Sequence, residues 1–332
     1  MADRIRISHQ NVASITTREK QHFFLKSVGK DNEILNLVET HSSPQVEFSI
    51  RKMYPHLTMF FNHGPKMAVK KGGRKMPKKE HIKGTLTIFA PSLIKDAVHT
   101  IIIPGMLSYI DFFIEEHPYR YVSVYAPSEA KEDRKSFEFF EELFRKEVLD
   151  PDKYTIISGD WNSARTEMDH FKYKDWEHYK PETRKLINDG IIEHDLCDPY
   201  RQLNLDTEAA ASSQGWTWQS KYLQCRSRID YFLVSRNLAK FVTHAHISDN
   251  QMDKLDHRPI HIGLSFQTTP NGLGYFRCPN ELLKDDLYCS SLKKMVCGII
   301  LMNTSGPPRQ EHEIQENTLT SKPIDIIEKI VK

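Results

Sequence analysis

Short apolar runs in this chain repeatedly stop on a residue that carries an acid, an amide, a hydroxyl or an imidazole. Tyr154-Thr155-Ile156-Ile157 leads into Ser158-Gly159-Asp160-Trp161-Asn162. Ile34 to Val38 ends on Glu39, and Tyr121 to Val124 ends on Tyr125. The run Arg228 to Ser235 carries Asp230 near its start, and Asp256-His257 stands just ahead of Ile260 to Leu264. Runs of this length, rich in β-branched and aromatic residues, read as strands. A strand that stops on such a residue presents its side chain at the edge of a sheet, so several such strands can gather their polar ends at one mouth.

Helical patterns fall between these runs. Phe137, Phe140, Leu143, Phe144 and Val148 recur at helical spacing between Lys131 and Val148 among Lys, Arg and Glu, which predicts an amphipathic helix packed on a sheet. A second helix is expected over 182–193, after Pro181, with Leu186 and Ile187 inward. Strands alternating with helices and long excursions imply mixed α/β architecture. Beyond Gln267 the character changes, with apolar residues at near-helical intervals over 281–302 and then a polar stretch around Pro307-Pro308. The expected organisation is a catalytic domain over 1–267, a helical connector over 268–302, and a flexible linker with a short C-terminal helix over 303–332.

Charge is balanced, with 46 Lys and Arg against 44 Asp and Glu for a net charge of +2, so attraction to nucleic acid has to be local. Lys70, Lys71, Arg74 and Lys75 belong to a basic segment, residues 66–83, built around Gly72-Gly73. It reads as a solvated loop or hairpin tip that either has no partner, touches a phosphate backbone, or serves as a nuclear-import signal. The 5 cysteines include no Cys-x-x-Cys pair, which argues against a disulfide framework or a zinc module. The start lacks an apolar signal core and no apolar run is long enough for a span. The expectation is an intracellular protein, nuclear or cytoplasmic, with no membrane partner.

The motifs Asn11, Val38-Glu39-Thr40-His41, Val124-Tyr125-Ala126-Pro127, Gly159-Asp160-Trp161-Asn162, Arg228-Ile229-Asp230-Tyr231 and Leu255-Asp256-His257 occur in one order. In that order they resemble the endonuclease/exonuclease/phosphatase superfamily, and within it the apurinic-type endonuclease domain of non-LTR retrotransposons. The segment Gly272 to Arg277, followed by Leu282-Leu283-Lys284-Asp285-Asp286, resembles the connector of such elements. The resemblance implies a DNase I-like α/β fold, a four-layered sandwich of two packed mixed β-sheets flanked by helices, with the site at its mouth. It also implies a reverse transcriptase module in full-length relatives; no Tyr-x-Asp-Asp signature occurs in this chain. Four places depart from the family pattern: Leu255 replaces a serine, Val38 a glutamine and Trp161 a phenylalanine, and the usual asparagine-rich, glycine-containing stretch around Asn11 is reduced to Gln10-Asn11-Val12-Ala13-Ser14.

Phosphodiester cleavage needs charge stabilisation on the phosphoryl oxygens, an activated water and help for the leaving oxygen. Hard oxygen donors suit Mg²⁺, with Mn²⁺ as the alternative ion. By resemblance the ligands are Glu39, Asn11 and Asp256. Asp160 orients or deprotonates the water, Asn162 holds the phosphate or that water, and His257 acts as base or as cation with Asp230 fixing its tautomer. Tyr125 donates to a phosphate oxygen, assists the leaving group, or simply packs. Thr217 lies where the family places a phosphate-side hydroxyl. The function implied is Mg²⁺-dependent nicking of one DNA strand to leave a 3′-hydroxyl. The alternatives are another phosphodiesterase or phosphatase of the superfamily, acting on abasic, RNA or phosphoester substrates, or an inactive nucleic-acid-binding remnant.

Overall fold

The computed structural model describes residues 4–69, 78–91, 93–128, 133–171, 179–204, 215–220, 225–250, 252 and 255–266, all within the unit Met1–Gln267. The expected connector over 268–302 and linker over 303–332 lie outside the described residues. So do Lys70, Lys71, Arg74 and Lys75.

The apolar runs are strands, and they form two 6-stranded sheets. In the first the order is Val242–Ile247, Ile260–Ser265, Arg4–Asn11, Ile34–Val38, Thr85–Phe89 and Thr58–Asn62. In the second it is Leu196–Cys197, Asp230–Ser235, Tyr154–Asp160, His117–Tyr125, Leu107–Ile114 and Lys95–Ile103. Each sheet is mixed in the same way. Arg4–Asn11 runs parallel to Ile34–Val38, and His117–Tyr125 runs parallel to Tyr154–Asp160, while the neighbours of each pair are antiparallel. Parallel partners end on the same side, so Asn11, Val38, Tyr125 and Asp160 all leave their sheets at one rim. The antiparallel neighbours begin there: Asp230 pairs with Asp160, and Ile260 pairs with His9.

Alternation along the strands sorts the core into layers. Ile5, Ile7, Ile34, Phe89, Phe112, Tyr121, Ile156 and Phe232 fill the space between the sheets. The outer face of the first sheet packs Leu35, Leu37, Leu86 and Ile88 against Phe24, Leu25 and Ile50 of the helices Arg18–Leu25 and Pro44–Met53. The outer face of the second packs Val122, Val124, Ile157 and Leu233 against Phe139, Phe140, Leu143 and Ile187 of the helices Asp133–Leu143 and Pro181–Glu193. The result is the four-layered DNase I-like sandwich that the resemblance implies.

Two helical expectations change in detail. The helix expected between Lys131 and Val148 spans Asp133–Leu143, and its inward stripe is Ser136, Phe139, Phe140 and Leu143. Phe137 is only half-buried. Consecutive aromatics left the register open, and the short turn after Leu143 carries Phe144 and Val148 into the core without continuing the helix. Pro181–Glu193 matches its expected span, with Ile187 buried and Leu186 partly so. The basic segment begins and ends as an antiparallel ribbon, Lys66–Val69 against Lys78–His81.

Gly159 permits the close approach on which the rim depends. A Cβ there would lie 1.9 Å from the carbonyl oxygen of Val124, in the backbone of the neighbouring parallel strand. A Gly159→Ala protein should therefore fold poorly or melt well below the parent in a thermal scan, because the clash is with backbone that cannot rotate away.

Candidate active site

Each rim position is supplied by a strand end and turned by the loop beyond it. Glu39 and Asn162 both adopt left-handed backbone, with φ of 56° and 45°, so the chain bends sharply out of each sheet just after its central strands. The Glu39 carbonyl accepts from the Ser14 N–H at 2.7 Å, and Thr40 N–H donates to the Gly84 carbonyl at 3.0 Å, which pins the loop to its neighbours. Asp160 is held from below by Trp161, which is fully buried and stacked between Phe140 and Tyr231 at centroid distances of 5.6 and 4.5 Å. The indole that replaces the family's phenylalanine also donates to the Tyr231 carbonyl at 3.2 Å. The exchange therefore adds a hydrogen bond to the packing.

The side chains meet in one continuous path. The Tyr125 hydroxyl is buried beside Glu39 and Asp160, whose charges add to burial in raising its pKa. Asn11 Nδ2 donates to Glu39 Oε2 at 2.9 Å and to Asp160 Oδ2 at 3.0 Å. Asp160 Oδ1 accepts from the Asn162 N–H at 2.9 Å, and Asp160 Oδ2 lies 3.8 Å from His257 Nε2. His257 Nδ1 meets Asp230 Oδ2 at 2.8 Å. The other Asp230 oxygen faces His9 Nε2 at 3.3 Å, a contact that no sequence motif predicts. Period-two alternation could have found it, since Ile5, Ile7, His9 and Asn11 must share one face.

The remaining expected site residues occupy more structural settings. Thr217 is fully buried, and its hydroxyl oxygen accepts from the N–H groups of Ile229 and Asp230, each at 3.0 Å. In this position it fixes the start of the Asp230 strand. Asn162 Nδ2 donates to the Ala126 carbonyl at 3.0 Å. Asn11 Oδ1 accepts from the Ala13 N–H at 3.0 Å, so its amide nitrogen, not its oxygen, faces the two carboxylates. Asp256 is half-buried and outside the Asp160–Asp230–His257 group, whose ligand-type atoms lie within 4.8 Å of one another; its charge acts on His257 from the side. Arg228 is a structural ion-pair partner: it is buried with Nε on Asp169 at 2.8 Å and Nη2 on Asp198 at 2.7 Å.

Electrostatics divides the labour. Burial alone would depress the His257 pKa, but the charges of Asp230 and Asp160 outweigh it and push it up to about 10, so the ring is an imidazolium at neutral pH. Burial likewise works against ionising Asp230, yet His257 and His9 hold its carboxyl well below the usual range. Asp160 goes the other way. Burial first, and the Asp230 charge second, push it up to about 7. An imidazolium has no lone pair for a metal, and Asp230 is already shared between two rings, so neither suits an ion. Glu39 and Asp160 do suit one. They are two carboxylates drawn to a single neutral amide, an excess of negative oxygen that fits a hard divalent cation keeping several waters.

Fold and rim cluster together define an α/β sandwich of the DNase I-like kind. Residues 12–257 match the endonuclease/exonuclease/phosphatase family, and the chain belongs to it, a family of enzymes that act on phosphate esters. Comparison with the curated proteins gives no match. Among solved structures, the AP endonuclease LMAP from Leishmania major is 16% identical with a TM-score of 0.59, the match covering 80% of this chain and 89% of that one. The 3′ phosphatase NExo from Neisseria, bound to product DNA hairpin, is 16% identical with a TM-score of 0.58, covering 79% and 100%. An AP endonuclease from Archaeoglobus fulgidus is 16% identical with a TM-score of 0.57, covering 78% and 98%. No helix among the described residues is long and apolar enough to cross a membrane.

Proposed function

We propose that this chain is a Mg²⁺-dependent DNA endonuclease of the retrotransposon type, acting in the nucleus, which nicks one strand and leaves a 3′-hydroxyl. One observation carries the reading: Asn11 bridges Glu39 and Asp160 by hydrogen bonds, and this cation-demanding carboxylate pair stands beside a buried imidazolium, with Asp160 3.8 Å from His257 and Asp230 on the far side of the ring. Mg²⁺, when bound by Glu39 and Asp160 with its own waters, would draw charge from the phosphoryl oxygens. Asp160 orients the attacking water and takes its proton. His257, held by Asp230, stabilises the phosphoryl charge as an imidazolium. Asn162 steadies the phosphate, and Tyr125, whose hydroxyl stays protonated because burial and the nearby carboxylates raise its pKa, donates to the departing 3′ oxygen. Support for DNA comes from neighbours described as AP endonucleases and as a 3′ phosphatase on a DNA hairpin. The retroelement branch rests on the resemblance of Gly272 to Arg277.

A panel of supercoiled plasmid, abasic duplex and 3′-phosphorylated hairpin, each with Mg²⁺ and with EDTA, tests this. Metal-dependent relaxation of plasmid with extendable 3′ ends is expected. Turnover confined to the hairpin or the abasic duplex would transfer the chain to the repair-type alternatives, and binding without turnover to the inactive class. Neutralising Lys70, Lys71, Arg74 and Lys75 together should flatten the salt dependence of DNA binding by about one slope unit for each phosphate no longer neutralised. An unchanged slope returns that segment to a solvated surface without a partner.

A further inference from the structure

We infer that His9 is a positioning residue that shares Asp230 with His257, holding one carboxylate oxygen so that the other stays on His257 Nδ1. The catalytic role given to His257 is that of the proposed function; the placement of His9 stands on geometry alone. His9 is fully buried, on the inner face of the strand Arg4–Asn11, and no sequence motif includes it.

A polar network between the sheets fixes its tautomer. Asn36, also fully buried, accepts at Oδ1 from Thr87 Oγ1 at 3.1 Å and from Ser123 Oγ at 2.8 Å. With its oxygen committed to two hydroxyls, Asn36 turns Nδ2 toward His9 Nδ1 at 3.1 Å and Ser158 Oγ at 3.0 Å. His9 Nδ1 must then accept, which leaves the ring proton on Nε2, the atom that faces Asp230 Oδ1 at 3.3 Å.

Without this donor, Asp230 Oδ1 would be a buried, ionised oxygen with no side-chain partner, a costly state that the carboxylate would relieve by rotating or by binding a proton. Either response loosens its hold on His257. Ser158 also bonds the Tyr121 hydroxyl at 2.6 Å, so the orientation of Asp230 is tied through His9 and Asn36 to both sheets.

The test pairs His9→Leu, which removes the donor, with His9→Gln, whose amide N–H can occupy the Nε2 position. For nicking at saturating Mg²⁺, His9→Leu should lower kcat about 10- to 100-fold, the range typical of outer-shell losses, with KM nearly unchanged, and His9→Gln should recover most of it. Nitrogen-15 NMR of the intact chain at neutral pH should show His9 neutral with its proton on Nε2. The low-field His257 Nδ1 proton should persist in His9→Gln and weaken in His9→Leu. A His9 proton on Nδ1, a charged His9, an unaltered kcat in folded His9→Leu, or a His9→Gln no better than His9→Leu would each overturn the inference. If the parent shows no nicking, the proposed function fails while the NMR arm still decides the role of His9. If His9→Leu does not fold, the parent tautomer and the His257 proton in His9→Gln decide it.

Discussion

An Asp160→Asn protein is expected to be nearly inert as a nuclease and yet harder to unfold than the parent when divalent ions are chelated. The loss of activity stems from removing the proposed base and half of the cation-demanding pair; general-base contributions alone are about 10²- to 10⁴-fold. The gain in stability comes from the sign of its pKa shift. Asp160 binds its proton more tightly in the folded chain, up to about pH 7, than an unfolded aspartate does. Between the ordinary aspartate pKa and about 7 the folded state holds a proton that the unfolded state has released, so parent stability declines across that interval and levels off above it. Asparagine is the same size and neutral, and escapes the decline. Melting curves in EDTA should therefore coincide near pH 4 and separate progressively toward pH 7, with Asp160→Asn the more stable. Curves that stay together to pH 8 would show that burial and the Asp230 charge do not burden Asp160.

Arg228→Ala should act on stability by the opposite route. Arg228 is enclosed with Asp169 and Asp198, and Arg201 and Arg165 complete the cluster from its outer side. Truncation would leave two buried carboxylates short of their central cation, a loss of about 3–5 kcal/mol. That is a large fraction of the roughly 5–15 kcal/mol typical of a domain. The Arg228 backbone N–H, which alanine keeps, donates to the Asp169 carbonyl at 2.9 Å just ahead of Ile229 and Asp230, so a shift of Asp169 should reach the active strand as well. Denaturant titration with far-ultraviolet circular dichroism measures the loss. Adding Asp169→Asn and Asp198→Asn to Arg228→Ala should recover part of it, since the stranded charges are then gone; no recovery would place the effect in packing.

The sandwich was legible because its signals are local. Apolar runs that stop on polar residues give the strands, and the polar ends give the rim. What sequence could not supply is pairing across space. That Asp160 faces Asp230 in register depends on an antiparallel neighbour 70 residues away, and only this proximity raises one carboxyl while the imidazolium lowers the other. Asn11 was expected as a ligand from its motif position, whereas its amide direction is set by the Ala13 N–H, a detail of the turn that composition does not encode. Thr217 was expected on the phosphate side, and its burial beneath the Asp230 strand arises from long-range packing. His9 lay in plain alternation with Ile7 and Asn11, but a lone histidine between Ser8 and Gln10 carries no motif.

The chemistry of the rim turns on whether Glu39 and Asp160 together form the cation site that its acids and imidazole surround. Crystals soaked in Mn²⁺ and measured at its absorption edge test that directly. A single anomalous peak within coordination distance of both carboxylates, abolished in Glu39→Gln and Asp160→Asn, is the predicted result. A peak held by other residues, or none at saturating Mn²⁺, would contradict it.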